Sequence, residues 1–144
     1  YSDFISPIIT IADACEKSGM VLCLETILNA RDLKFILNKL QNKNIKVVFD
    51  TGNRIAFGHD LYNDIILLEK NIEHVHIKDK DKTNENVLLS TGLVDFNLVF
   101  KALKKINYQK TYTFETFRGK NPIDTAKFNM ELTKFFYHEN FNLL

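Results

Sequence analysis

The stretch Val21-Leu22-Cys23-Leu24-Glu25, residues 21–25, is a short apolar run without Gly or Pro that follows Gly19. This pattern is typical of a buried strand in a parallel sheet. On its amino side, Ser6 and Pro7 predict the start of a helix that ends near Gly19. On its carboxyl side, Asn29 is predicted to cap a second helix. The apolar residues recur at helical spacing in both helices: Ile8, Ile11, Ala12 and Cys15 in the first, and Leu33, Ile36, Leu37 and Leu40 in the second.

The same alternation of strands and helices continues along the chain. Further strands are predicted at residues 45–50, 72–78 and 111–117, with loops at residues 51–59 and 80–86. Further helices are predicted with caps at Asp60 or Asn63, at Asp95 and at Asp124. The apolar faces of the last two contain Phe96, Val99, Phe100 and Leu103, and Phe128, Leu132, Phe135 and Phe136. The order predicts an α/β fold of parallel βα repeat units, with residues 1–144 forming a single domain.

Composition and charge narrow the class of function. The 144 residues include 19 Lys and Arg against 18 Asp and Glu, a formal net charge of +1. A nucleic-acid or anionic-membrane partner bound through bulk charge is therefore not expected. No apolar run approaches the ~20 residues that span a bilayer. Cys15 and Cys23 are too few for a disulfide scaffold, so we expect a reduced, cytoplasmic protein.

Each predicted strand ends near an ionisable residue: Glu25, Asp50, His76 or Glu115. Alternate strand residues face opposite sides, and in parallel α/β proteins sites form at the carboxyl edge of the sheet. Each residue alone could simply bond backbone or water. Three carboxylates buried together need neutralisation, however, and with one imidazole they suit Mn²⁺, Mg²⁺, Co²⁺ or Zn²⁺. The sequence therefore predicts a divalent metal site.

Residues 5–137 contain an ordered series of short motifs: Leu24-Glu25-Thr26, Phe49-Asp50-Thr51-Gly52-Asn53, His74-Val75-His76-Ile77-Lys78-Asp79, Thr91-Gly92-Leu93-Val94-Asp95-Phe96 and Phe114-Glu115. This series resembles sugar isomerases and epimerases of the xylose-isomerase-like TIM-barrel superfamily. The match is nearest to the branch acting on ketoses and ketose phosphates. The resemblance implies a small-molecule sugar or sugar-phosphate substrate.

The resemblance also implies roles for the strand-end residues. Glu25, Asp50, His76 and Glu115 would be the metal ligands, and Glu25 and Glu115 would also be the catalytic acid–base pair. The implied reaction is a metal-dependent isomerisation or epimerisation, in which a proton is removed next to a carbonyl and the metal stabilises the enediolate. One carboxylate on each side of the plane of the enediolate would allow inversion at a carbon.

Four further residues are candidates for substrate binding: Asn53, His74, Lys78 and Arg118. His74 could instead be a bonded core histidine, and Lys78 could pair with Asp79 or Asp81. Arg118 is the candidate for a phosphate group, against a surface ion pair. Asn53 replaces a histidine found in several relatives, which disfavours a second reading, a zinc phosphodiesterase like the abasic-site endonucleases of the superfamily.

The length does not fit a complete barrel. A (β/α)₈ barrel has about 250 residues, whereas four strands are predicted here. We expect half of such a barrel, the carboxyl-terminal strands five to eight with flanking helices, and Tyr1 in place of Met fits that expectation. Two unpaired sheet edges favour a homo-oligomer or association with the missing half, without which the chain is expected to lack full activity. A third reading is a non-catalytic half-barrel that supports assembly, in which the four side chains would lie more than ~6 Å from any shared point.

Overall fold

The computed structural model describes residues 2–141 of the chain. In chain order, the elements are α1 Ser2–Lys17, β1 Leu22–Glu25, α2 Ala30–Leu40, β2 Ile45–Asp50, α3 Thr51–Ala56, α4 Leu61–Leu68, a 3₁₀ turn Glu69–Asn71, β3 Ile72–Ile77, β4 Asp79–Lys80, β5 Asn86–Val87, α5 Phe96–Lys105, β6 Thr111–Phe114 and α6 Pro122–Phe141.

A four-stranded parallel sheet forms the centre of the fold. Its order is β1-β2-β3-β6, and each neighbouring pair is parallel. Asp50 is level with His76, and His76 is level with Thr113. The short antiparallel hairpin β4–β5 lies outside this sheet. The prediction of a parallel α/β fold with βα units is confirmed, and the strand ends that carry ionisable residues lie along one edge.

Helices cover one face of the sheet. The outward residues Val47, Phe49, Val75 and Ile77 are completely buried beneath them. The predicted apolar stripes of α2 and α5 are buried as expected. On the opposite face, Thr111 and Thr113 are exposed. The sheet is therefore apolar towards the helices and polar towards the side that carries the candidate ligands.

Side-chain caps fix where three helices begin. Asn29 accepts a hydrogen bond from the backbone N–H of Asp32 at 2.9 Å, and Asp95 accepts one from Leu98 at 3.0 Å. Of the two candidates for α4, Asp60 is the cap. These predicted helix starts are confirmed.

A buried ion pair joins α3 to α4. Arg54 is 1% exposed and donates to Asp64 Oδ2 from Nη2 at 2.6 Å and from Nε at 3.2 Å. Its guanidinium carbon also lies 5.0 Å from the centre of the Phe49 ring. The sequence patterns gave no indication of this contact, because residues 51–59 were expected to be a loop.

Several predicted boundaries are wrong. The helix α1 begins at Ser2 and continues through Pro7, which lies in its second turn and removes one intrahelical hydrogen bond, so the proline does not mark the start of the helix. Residues 51–56 form α3 because the side chain of Asp50 caps it, and residues 80–86 include parts of β4 and β5. The strands β3 and β6 end at Ile77 and Phe114, earlier than expected.

The apolar faces of α1 and α6 were also predicted too broadly. Ile11 is 52% exposed, although Ile8 and Ala12 are buried. In α6, Phe128 and Phe135 are exposed, whereas Leu132 and Phe136 pack against the core. This helix begins at Pro122, because Asn121 Oδ1 accepts from the N–H groups of Ile123 and Asp124, so Asp124 lies in its first turn.

None of the helices described within residues 2–141 combines the length and the apolar character needed to cross a membrane.

Candidate functional site

The four predicted ligands lie at one edge of the sheet. Glu25, Asp50 and His76 are at or next to the carboxyl ends of β1, β2 and β3, and Glu115 directly follows β6. The backbone N–H of Glu115 donates to the carbonyl of Ile77 at 3.2 Å, which continues the pairing of β6 with β3 by one residue. The parallel arrangement therefore brings four residues that are distant in sequence to neighbouring positions.

The ligand atoms of this cluster converge. One atom from each of Glu25, Asp50, His76 and Glu115 lies within 4.8 Å of the other three. His76 Nδ1 is 3.7 Å from Glu25 Oε1, 3.7 Å from Glu115 Oε1 and 3.9 Å from Asp50 Oδ2. Three acceptor-rich carboxylates thus surround a single imidazole nitrogen.

Two buried atoms of the cluster, Asp50 Oδ2 and His76 Nδ1, have no hydrogen-bond partner among the described residues, although Asp50 Oδ2 forms an ion pair with Lys78 Nζ at 3.0 Å. For His76 Nδ1, burial without a partner carries a desolvation penalty of about 1–3 kcal/mol. A divalent cation between these atoms would remove that penalty, and carboxylate and imidazole groups are suitable ligands for it. The residues present therefore fit a bound metal ion.

The two oxygen atoms of Asp50 have different surroundings. Oδ1 accepts a hydrogen bond from the backbone N–H of Asn53 at 2.6 Å and so caps α3. Oδ2 faces the cluster, and the side chain is only 3% exposed. The helix cap fixes the carboxylate so that its second oxygen points towards His76. The side chains of Glu25 and Glu115 are 42% and 46% exposed, so they are accessible to a substrate.

Lys78 lies inside this cluster. Its Nζ is 2.5 Å from Glu115 Oε2 and 3.0 Å from Asp50 Oδ2, the latter as an ion pair without hydrogen-bond geometry. Burial acts to lower the pKa of Lys78, but hydrogen bonding and the charges of Glu115 and Asp50 outweigh it and raise the pKa above its ordinary value. The hydrogen bond from Lys78 is the main cause that lowers the pKa of Glu115.

The alternative pairing of Lys78 with Asp79 or Asp81 is wrong. The Asp79 carboxylate is completely buried and accepts from the backbone N–H groups of Lys80, Gly92 and Val94. Asp81 accepts from the N–H and hydroxyl of Thr83 in its own loop. The sequence could not separate these possibilities, because the candidate partners Asp50, Asp79, Asp81 and Glu115 all lie near strand ends.

Two residues that the sequence analysis did not single out hold Lys78 in place. Thr51 Oγ1 donates to the carbonyl oxygen of Lys78 at 2.6 Å and accepts from its N–H at 3.0 Å. A Cβ atom at Gly52 would lie 2.6 Å from Lys78 Cγ, so only glycine leaves room for the lysine stem. The Asp-Thr-Gly motif was the available signal for both residues.

His74 forms hydrogen bonds with both of its ring nitrogens. Nδ1 and Nε2 lie 2.6 Å from the hydroxyls of Thr111 and Thr113, respectively, and the ring packs edge-on against His76 with centroids 5.2 Å apart. Burial, and secondarily His76, lower the pKa of His74. The geometry is that of a hydrogen-bonded histidine beside the candidate ligand His76. The two threonines could be found only from the strand register.

The other two candidates for substrate binding lie around the cluster. The backbone of Asn53 contacts Asp50, and its side chain is half-buried at the start of α3. Arg118 is exposed and lines a cleft of about 580 Å³ that Lys78 and Glu115 also line. Asn86 of the β4–β5 hairpin and Pro122 at the start of α6 complete part of its wall. The cleft therefore opens next to the candidate ligands.

Comparisons with known proteins agree with this architecture. The family model for the xylose isomerase-like TIM barrel matches residues 1–135. The ketose 3-epimerase of Arthrobacter globiformis is 29% identical over 115 residues, which are 74% of this chain and 38% of that protein. The Escherichia coli K12 protein named "Putative L-ribulose-5-phosphate 3-epimerase SgbU" is 31% identical over 83 residues, 51% of this chain and 29% of that protein.

Solved structures share the fold. A structure of L-ribulose 3-epimerase superposes with a TM-score of 0.83 at 20% identity, covering 94% of this chain and 53% of that one. A xylose isomerase domain protein from Planctomyces limnophilus superposes with a TM-score of 0.87 at 19% identity, covering 99% of this chain and 55% of that one. The IolI protein, solved with a bound zinc atom, superposes with a TM-score of 0.80 at 18% identity, covering 96% of this chain and 56% of that one.

The chain spans about half the length of these solved structures, and less than half of the curated relatives that it matches. Its parallel βα units correspond to a partial TIM barrel. The match of the family model over residues 1–135 shows the relationship independently of the fold. The chain therefore belongs to the xylose isomerase-like TIM barrel family.

Proposed function

We propose that this chain provides the metal-dependent active site of an epimerase or isomerase that acts on a ketose or ketose phosphate. The observation that carries the proposal is the convergence of Glu25, Asp50, His76 and Glu115, whose ligand atoms lie within 4.8 Å of one another. This convergence argues against a non-catalytic half-barrel, in which the four side chains would lie far from any shared point. The epimerase names of the two curated relatives support the same reaction class.

Asp50 and His76 would hold the metal ion through Oδ2 and Nδ1, respectively, with Glu25 and Glu115 completing the ligand set. The oxygen-rich donors with one imidazole suit Mn²⁺, Mg²⁺, Co²⁺ or Zn²⁺. When bound, such an ion would polarise the ketose carbonyl and stabilise the negative charge that develops next to it.

Glu25 and Glu115 are placed to act as an acid–base pair. Glu25 is the last residue of β1 and Glu115 directly follows β6, the two outer strands of the sheet, so their carboxylates approach the cluster from opposite sides. One removes the proton from the carbon next to the carbonyl, and the other returns a proton on the opposite face. Both are partly exposed, as groups that contact substrate must be, whereas the buried Asp50 serves only as a ligand.

The cleft beside the cluster is where we place the sugar. Arg118 gives it a positive charge and would bind the phosphate of a ketose phosphate, whereas Lys78, paired with Asp50 and Glu115, would contact a sugar hydroxyl. Asn53 would contact a sugar hydroxyl, and His74 would fix the ring of His76 or contact the substrate. The second wall of the pocket would come from the other half of the barrel, or from another copy of the chain, with the present residues forming strands five to eight. The free thiols Cys15 and Cys23 fit a protein of the reducing cytoplasm.

Calorimetry with Mn²⁺ tests the ligand assignment. We expect Glu115→Gln and Asp50→Asn each to bind Mn²⁺ at least about tenfold more weakly than the unmodified chain, because each removes a ligand charge. Glu131→Gln is the matched control, since Glu131 pairs with Lys134 on the exposed surface of α6. Equal affinity in the unmodified chain and Glu115→Gln would refute the assignment.

Proton exchange tests the chemistry. With Mn²⁺ in D₂O, D-allulose or L-ribulose 5-phosphate should gain deuterium at the carbon next to the carbonyl, as followed by NMR. Glu25→Gln and Glu115→Gln should each abolish inversion at that carbon, because inversion needs both groups. If the missing half of the barrel is needed for substrate binding, adding it should raise the exchange rate while the two substitutions still abolish inversion.

A further inference from the structure

Lys78 occupies a position that the proposed ligand set does not explain. Its ammonium group contacts two of the four ligand residues, Asp50 at 3.0 Å and Glu115 at 2.5 Å, and its side chain is 9% exposed. A cation is thus already built into a site whose other groups would bind a metal ion. Lysine on a protein surface normally keeps its charge in water, so this burial requires a reason.

The backbone and stem of Lys78 are held beside the cluster. Its backbone is bonded on both N–H and carbonyl to Thr51 Oγ1, and its stem crosses the backbone at Gly52. The nearest acidic residues along the chain already have other partners, since Asp79 binds backbone N–H groups and Asp81 binds Thr83. Glu115 and Asp50 are therefore its ion-pair partners among the described residues.

The charges of the cluster favour a role for this lysine. Glu25, Asp50 and Glu115 carry three negative charges when ionised, and a neutral His76 adds none. Lys78 reduces the total to two negative charges, which a divalent cation balances. Without Lys78 the loaded cluster would keep one uncompensated negative charge in a partly buried position, where charge is costly.

We infer that Lys78 is an internal counter-cation that shares Asp50 and Glu115 with the bound metal ion, weakening metal binding and leaving the loaded site electrically neutral. The inference rests on the proposed metal site and deepens it. If Lys78 stays in place when the ion binds, the two cations repel each other; if it moves away, its two ion pairs are lost. Either route lowers the affinity for the ion.

Calorimetric titration with Mn²⁺ at neutral pH tests this role without any activity measurement. We expect Lys78→Met and Lys78→Gln to bind Mn²⁺ at least about tenfold more tightly than the unmodified chain. The matched control is Lys110→Met, which removes one positive charge from another lysine–glutamate pair, with Glu73, at the amino ends of β3 and β6. It should change the affinity by less than about twofold.

The outcomes separate the inference from the proposed function. If the unmodified chain does not bind Mn²⁺, the metal site itself is wrong. If it binds and both Lys78 variants bind with equal or lower affinity, the site stands and the counter-cation role is overturned. Should Lys78→Met fold poorly, Lys78→Gln keeps a polar hydrogen-bond donor at this position, and its Mn²⁺-induced rise in thermal midpoint should exceed that of the unmodified chain. A rise no larger than that of the unmodified chain would also overturn the role.

Discussion

The ion pair between Arg54 and Asp64 offers a direct test of how the sheet, α3 and α4 are held together. Arg54 makes two hydrogen bonds to one carboxylate oxygen, at 2.6 and 3.2 Å, and its side chain is 1% exposed. We predict that Arg54→Met strongly lowers the free energy of unfolding. Methionine keeps most of the apolar stem but removes the charge, both hydrogen bonds and the contact with Phe49.

The magnitude follows from the burial of the two partners. Removing one partner of a buried ion pair costs about 3–5 kcal/mol, because the remaining charge is left uncompensated. Asp64 is 15% exposed, so water can solvate part of its carboxylate. Arg54 Nη1 is buried without a hydrogen-bond partner in the described part of the chain, so its removal recovers some stability. We therefore expect a loss near the lower end of that range, about 3 kcal/mol.

Urea unfolding followed by circular dichroism measures this loss. Asp64→Asn and the double variant complete a cycle, in which we expect a coupling energy of at least about 1.5 kcal/mol. The control is Lys134→Met, whose ion pair with Glu131 is 54% and 73% exposed, and which should cost less than about 0.5 kcal/mol. A loss below about 1 kcal/mol for Arg54→Met would show that the pair does not stabilise the packing as argued.

Two further predictions concern buried and capping carboxylates. Asp79→Asn should cost about 3 kcal/mol, because an amide nitrogen would face backbone N–H donors that the carboxylate now binds. Hydrogen exchange should show lower protection of the Gly92 and Val94 amides, and unchanged protection would contradict this account. Asp60→Ala should cost about 1 kcal/mol at neutral pH, because it removes the cap of α4. The hydrogen bond from the backbone of Asn63 lowers the pKa of Asp60, so the contribution of Asp60 is complete above its unfolded pKa of about 3.9 and is lost as the pH falls through the lower folded value. Urea unfolding at neutral and acidic pH checks this, and a cost independent of pH would argue against the cap.

Periodicity predicted the parallel strands and the buried faces of α2 and α5 because each of these elements has an apolar side. In the two helices, a capping side chain also marks the first turn. It failed at α3, where the signal for a loop was a glycine. Gly52 serves instead to let the Lys78 stem pass, and the helix begins because Asp50 caps it. In α6, Phe128 and Phe135 recur at helical spacing yet remain exposed. The helical spacing of apolar residues shows which of them share a face of a helix. Whether that face is buried depends on the other elements that pack against it.

The candidate site was more predictable than its surroundings. Glu25, Asp50, His76 and Glu115 could be found because each marks the end of a strand, and parallel strands end at one edge. The contacts of Lys78 and His74 could not be found in this way. They depend on which carboxylates Lys78 reaches and on the register that sets His74 opposite Thr111. Register and side-chain direction are tertiary properties that a single sequence does not reveal.

Asp50 both caps α3 and faces the candidate metal site, so the fold and the proposed chemistry depend on it in different ways. Asparagine caps helices about as well as aspartate. An Asp50→Asn change would keep an acceptor oxygen for the N–H of Asn53 while removing a charge that faces His76. On the proposed metal assignment, a single substitution could therefore remove a ligand and leave the fold intact, so the fold is weaker evidence for catalysis than the identity of this one residue.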